Sequence, residues 1–261
     1  MNDFKEVSGF TVDSILTRAW AVLWKKPVFF LVIILLCAII NGIFEHKILF
    51  SMPMLAFCAS TVILAVLQLL LYGVVIYTVF LLLTKDSVSM LESFQRSAKR
   101  IFFVIINGVV QALVFLMLVI LGVVLKKVFI TLIGNAGLIG LFPSIALISI
   151  LVIRWILSFQ TCIVEKTGPI VSLNRSSELT KGYRFTVFSL LTVIVVLTII
   201  IMVIQNLAFG DGLLSDIFLT LISTISCIYL FIVMTVVHFS LRAVKENLTP
   251  DSFVEQAVVS N

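Results

Sequence analysis

Arg154 is the residue whose position most calls for chemistry. It stands in "ISILVIRWILSF", roughly 11 residues, or about 16 Å of helical rise, from the end of a long apolar run. A guanidinium at that depth in lipid is costly, so it faces a partner, a bundle interior or water. Two chemistries suit it. One is contact with an anion or lipid headgroup inside a cavity. The other is structural: a buried pair with Glu165 or Glu178, or a side chain snorkelling back to the headgroups. The structural pair is the favoured expectation. Glu165 lies three turns away along an unbroken helix, so direct pairing with it requires a break.

The other residues capable of chemistry are not arranged for it. His46 follows the first apolar run and His238 stands in the last, without HExxH or HxxxH spacing for a metal. No glycine-rich phosphate loop occurs, and no serine stands in a GxSxG elbow. With no nucleophile, base and acid legible together, the chain is expected to have no catalytic residue, metal ligand or cofactor. Cys37, Cys58, Cys162 and Cys227 lie in or at the ends of apolar runs without a CxxC pair, and read as buried small hydrophobes. Gln68, Asn107, Gln111, Gln205 and Asn206 read as interhelical hydrogen-bonding groups, each worth about 1 kcal/mol. His238 reads as a satisfied interfacial histidine rather than a pH switch. Trp20, Trp24 and Trp155 read as interfacial or packing aromatics.

The stretch "EKTGPIVSLNRSSELTKGYRF", Glu165 to Phe185, separates two apolar runs. Pro169 after Gly168 fits a first helical turn, where a missing N–H costs nothing. Gly182 suits the left-handed position after a helix, and Lys181 suits its last turn. Ile170, Leu173 and Ser177 fall on one face, with Asn174, Glu178 and Lys181 opposite. The pattern predicts a helix at the membrane surface, apolar side toward lipid or bundle and charges toward water. Arg175, Lys181 and Arg184 join Arg154 as candidate lipid or anion contacts. Glu165, Gly168, Pro169, Ser176, Glu178, Thr180 and Gly182 form a candidate structural signature.

That signature resembles one found in the membrane-domain family of glycerophosphoryl diester phosphodiesterases and in YciC-like bacterial inner-membrane proteins. The shared pattern is an acidic residue, Gly-Pro, an arginine-serine pair, then Leu-Thr-x-Gly. "RWILSF" and the opening "FTVDSILTRAWAVLWKK" extend the resemblance over most of the chain, whereas Ser177 departs from the aromatic residue common there. The resemblance implies a bacterial inner-membrane protein. It does not imply a phosphodiesterase, because the catalytic barrel with its metal-binding carboxylates and paired histidines has no counterpart here.

The elements that must position these residues follow from composition. Apolar residues make up 61% of the chain and charged residues only 12%, a balance suited to a bilayer rather than to water. Six runs approach the roughly 20 apolar residues that cross a bilayer: Val28–Phe44, Pro53–Leu83, Ile101–Leu125, Gly137–Val164, Phe185–Phe209 and Leu213–Leu241. The first run begins too late, and lacks the cleavage site, for a signal peptide. Fourteen of the eighteen Lys and Arg residues fall on one side of these spans. The positive-inside rule therefore places both termini in the cytoplasm.

Amphipathic segments with basic residues precede spans one, three and five. The expected fold is all-α: a polytopic membrane protein of six transmembrane helices, built as three repeats of an interfacial helix plus a hairpin, about 8–83, 84–164 and 165–245. A single domain occupies 1–245, and a short polar cytoplasmic tail follows at 246–261. Thr11 with Asp13, and Asp86 with Ser87, are the expected caps of the first two interfacial helices, and Pro27 should separate the first from its span. Net charge of +5 suits an anionic leaflet rather than nucleic acid. The expected partners are membrane lipids, with other membrane proteins or a second copy as further candidates. The leading functional expectation is a non-enzymatic organiser of lipids or membrane proteins through a basic cytoplasmic face. The alternative is a flippase-like carrier of a small amphiphile or anion.

Overall fold

The computed structural model describes residues 10–45, 54–84, 90–133, 141–210 and 212–246. Among them the backbone forms helices and no strand: α1 (Val12–Lys25), α2 (Pro27–Glu45), α3 (Met54–Thr84), α4 (Met90–Ile133), α5 (Phe142–Trp155), α6 (Ser158–Val164), α7 (Pro169–Thr180), α8 (Arg184–Phe209) and α9 (Leu213–Glu246). Five stretches are long and apolar enough to cross a membrane, and the bent pair α1–α2 can supply a sixth. The six expected runs correspond to α2, α3, α4, α5 with α6, α8 and α9.

Local sequence accounts for the boundaries. Thr11 caps α1 in a capping box with Ser14 rather than with Asp13. At Lys26 the chain leaves helical geometry, Pro27 starts α2, and the two helices meet at 93°. Ile15, Ala19 and Val22 on α1 are buried, with α9 and α3 among its neighbours. Asp86 and Ser87 lie outside the described residues.

The three expected units differ in build. The basic segment before span three is not a separate helix but the first turns of the 44-residue α4. The segment before span five does form its own helix, α7. Its buried face carries Ser172, Ser176 and Thr180 with Leu173 and Leu179, whereas Ile170 is exposed. Asn174, Glu178 and Lys181, expected on the opposite side, are exposed. Serine and threonine turn inward because the broken neighbouring span offers them backbone hydrogen-bonding groups.

The core is concentrated at one end of the bundle. The second half of α3, from Val74 to Leu83, and most of α9 from Ile228 to Arg242 are buried there together with α1 and α6. Beyond it, α4 and α8 present mostly exposed apolar side chains, Met117 and Leu207 among them, as helices bathed in acyl chains do. Close approach uses small residues. A Cβ at Gly73 would sit 3.2 Å from Ser97 Cβ, and one at Gly122 would sit 3.0 Å from Ser144 Cβ.

Candidate functional site

Span four is interrupted at Ile156–Leu157, between α5 and α6. A break in a membrane helix exposes backbone groups that must find partners, and α7 supplies them. Ser176 Oγ donates to Arg154 O at 2.7 Å and accepts from Leu157 N at 3.1 Å. The amide of Gln160, oriented to satisfy both its ends, donates to Ile156 O and Leu157 O. Thr161 Oγ1 donates across to Ser172 O at 3.2 Å. On the other side of the break, Asn107 and Gln111 of α4 both donate to Ser158 Oγ, at 3.2 and 2.9 Å. The interruption is therefore stitched from both flanks.

Below the break, an ion cluster ties the α6–α7 turn to the end of α9. Glu165 accepts from Arg175 Nε at 3.0 Å and from His238 at 2.9 Å, with Arg242 Nε at 3.5 Å. Glu246 pairs with both Arg175 and Arg242. His238 is buried and Glu165 nearly so. With the carboxylate ionised, His238 Nε2 is the protonated ring nitrogen. Burial pushes the Glu165 carboxyl upward in pKa. The His238 hydrogen bond and the charges of His238, Arg242 and Arg175 outweigh that effect and hold it at about 2. Two carboxylates and two guanidinium groups pair with one another and His238 adds a further hydrogen bond, which makes a structural latch. Lys245 completes it by donating to Glu178 O and Lys181 O, both at 2.6 Å, at the C-terminal end of α7.

The signature residues acquire separate tasks. Gly168 is the N-cap of α7, Pro169 occupies its first turn, and Gly182 takes φ +91° beyond its end. Ser176 clamps the break, and Thr180 Oγ1 donates to Ser176 O at 3.0 Å. Glu165 anchors the latch, whereas Glu178 is exposed and lends only its backbone carbonyl to it. Of the four proposed lipid or anion contacts, Arg175 is drawn into the latch, while Lys181 and Arg184 are exposed.

Arg154 departs from expectation. It has no carboxylate partner among the described residues, and its Nε donates to Ser177 Oγ at 2.9 Å. The turns of α6 below it are covered by protein, with Ser158 and Gln160 through Ile163 buried, so the exposed surface of span four ends near Arg154.

Sequence reading took His238 as a satisfied interfacial histidine but did not join it, Arg242 or Glu246 to the cluster at Glu165. No spacing rule links Glu165 to a histidine 73 residues away; a second acid–base pair near the end of the last span was the only available hint. The polar residues Gln68, Asn107, Gln111 and Gln205 form hydrogen bonds between helices or between neighbouring side chains, as their reading anticipated.

Lys166, in the turn after α6, adopts φ +55°. Burial, then repulsion from Arg96, Arg100 and Lys99 on α4, pushes its ammonium pKa down. Like charges are thus gathered here from separate segments. Compared with protein-family models, curated proteins and solved structures, the chain matches none.

Proposed function

We propose that this protein binds and organises anionic lipids through a basic collar at one end of its bundle, as a non-enzymatic component of a bacterial inner membrane. The collar would face the cytoplasm, with both termini on that side. One observation carries the reading: in α2, α4 and α8 a strongly exposed apolar residue follows closely on basic ones. Lys25 and Lys26 precede Val28, which is 71% exposed; Lys99 and Arg100 precede Phe102, 66% exposed; Arg184 precedes Phe185, 82% exposed. Such borders suit the level of headgroups, where each basic residue near an anionic leaflet contributes about 1 kcal/mol. Exposed Trp20 and Trp24, packed edge to face on α1, suit the same interface. The resemblance at Glu165, Gly168–Pro169 and Arg175–Gly182 supports the same membrane setting and is itself part of this proposal.

The test is lipid retention in nanodiscs of mixed phosphatidylglycerol and phosphatidylcholine, read by native mass spectrometry. The wild type should be enriched in phosphatidylglycerol, and the enrichment should fall in Lys26→Gln/Lys99→Gln/Arg184→Gln and in high salt. Equal retention of both lipids by the wild type would overturn the reading. The break in span four beside Arg154 favours a second reading, a carrier of a small amphiphile or anion, because discontinuous helices line substrate sites in transporters. That reading requires labelled lipid or anion to cross reconstituted vesicles at a rate that depends on Arg154.

A further inference from the structure

Building on the lipid-binding reading, we propose that Arg154 and Ser177 form a discrete site for the phosphodiester group of one anionic lipid, whose acyl chains lie along α5. Ser177 Oγ accepts from Arg154 Nε at 2.9 Å and so fixes the plane of the guanidinium. Its two terminal nitrogens have no partner among the described residues. A guanidinium in a membrane helix needs acceptors for its N–H groups, and its planar fork of donors matches two oxygens of one phosphate.

The surroundings select a lipid over a free ion. Leu147, Ile150 and Arg154 stand at i, i+3 and i+7 on one stripe of α5. Leu147 and Ile150 are exposed, as a surface for acyl chains requires. One turn farther on, Leu157 and Ser158 are buried, Leu157 against α7 and Ser158 against α4. The apolar stripe therefore ends at a held cation with a wall of protein beyond it. A phosphate seated on Arg154 has its chains directed along Ile150 and Leu147. Arg175, the arginine nearest in the signature, is occupied by Glu165 and Glu246 and leaves this role to Arg154.

The experiment counts phosphatidylglycerol molecules on the purified full-length protein by native mass spectrometry. It compares wild type with Arg154→Gln, Arg154→Lys and Ser177→Ala, beside melting temperatures in lipid-free detergent. Arg154→Gln should lose one tightly held lipid per chain while melting as the wild type does without lipid. Arg154→Lys and Ser177→Ala should retain it about tenfold more weakly. An unchanged lipid count in Arg154→Gln would overturn the site. So would an equal drop in melting temperature with and without phosphatidylglycerol, the signature of a purely structural arginine. Inorganic phosphate that raises the melting temperature of the wild type but not of Arg154→Gln, without lipid being retained, would assign the site to a free anion and overturn the lipid. The broader collar fails separately: loss of phosphatidylglycerol preference with one Arg154-dependent lipid still bound would refute the collar and leave this site standing.

Discussion

Glu165 receives one histidine and two arginines in a space mostly closed to water. Removing one member of such a group strands the others, at a cost of roughly 3–5 kcal/mol. Glu165→Gln should therefore lower the detergent melting temperature sharply, and a double-mutant cycle with Arg175→Gln should show coupling above about 1 kcal/mol. The same cycle between Glu165 and Arg154 should be additive, because they share no contact; measured coupling there would contradict the latch as described. Acid should act through the same carboxyl. Its folded pKa of about 2 lies below the ordinary 4.5, so the folded protein binds fewer protons than the unfolded one between those values. The stabilisation is present above pH 4.5 and is lost as pH falls toward 2, on the order of 3 kcal/mol in all. Melting temperature measured across that window should fall for the wild type and stay flatter for Glu165→Gln.

Helices in this protein approach where side chains are small, and the contact of α3 with α4 and α6 depends on it. A Cβ on Gly73 would meet Ser97 Cβ at 3.2 Å and Ile163 Cδ1 at 3.5 Å. Gly73→Val should destabilise by about 1–3 kcal/mol through overpacking, and Gly73→Ala by less, as read from thermal melts in one detergent. Such contacts bear on what the sequence disclosed at this scale. Long apolar runs made the spans legible, and Pro27, Pro169 and Gly182 marked breaks that the backbone obeys. Arg154 was singled out by depth alone. Its partner Ser177 was not legible, because a hydroxyl 23 residues away meets it only once α7 folds back on a broken helix. The interruption at Ile156–Leu157 carries no proline or glycine. The cause is the set of side-chain donors and acceptors, Ser176 from α7 and Gln160 from α6 foremost, that replace the lost helical bonds.

Across the whole molecule, charge and burial are polarised together. The core, the latch and most of the basic residues occupy one end, while the apolar surfaces of α4 and α8 extend away from it and Lys126 and Lys127 stand near the far end of α4. Orientation in the membrane should follow that polarity. With the four native cysteines replaced, Gly212→Cys should react with an impermeant thiol reagent added to intact cells. Asn174→Cys, exposed on α7, should react only after the cells are opened. The reverse pattern would invert the proposed topology.

The latch also imposes an order on biosynthesis. Glu165 and Arg175 leave the ribosome well before His238, Arg242 and Glu246, which complete their charge balance from the last helix. At translation speeds of 5–20 residues per second, the roughly 70 residues between Arg175 and Glu246 correspond to roughly 4–14 s. During that interval α7 is held chiefly by its serine contacts to span four, with a carboxylate and a guanidinium awaiting their remaining partners. A nascent chain stopped after Ser226 is fixed in that unfinished condition. In pulse-chase labelling it should be degraded several-fold faster than the full chain, and Ser176→Ala should shorten its lifetime further. Quality-control proteases would thus read completion of this protein at its final helix.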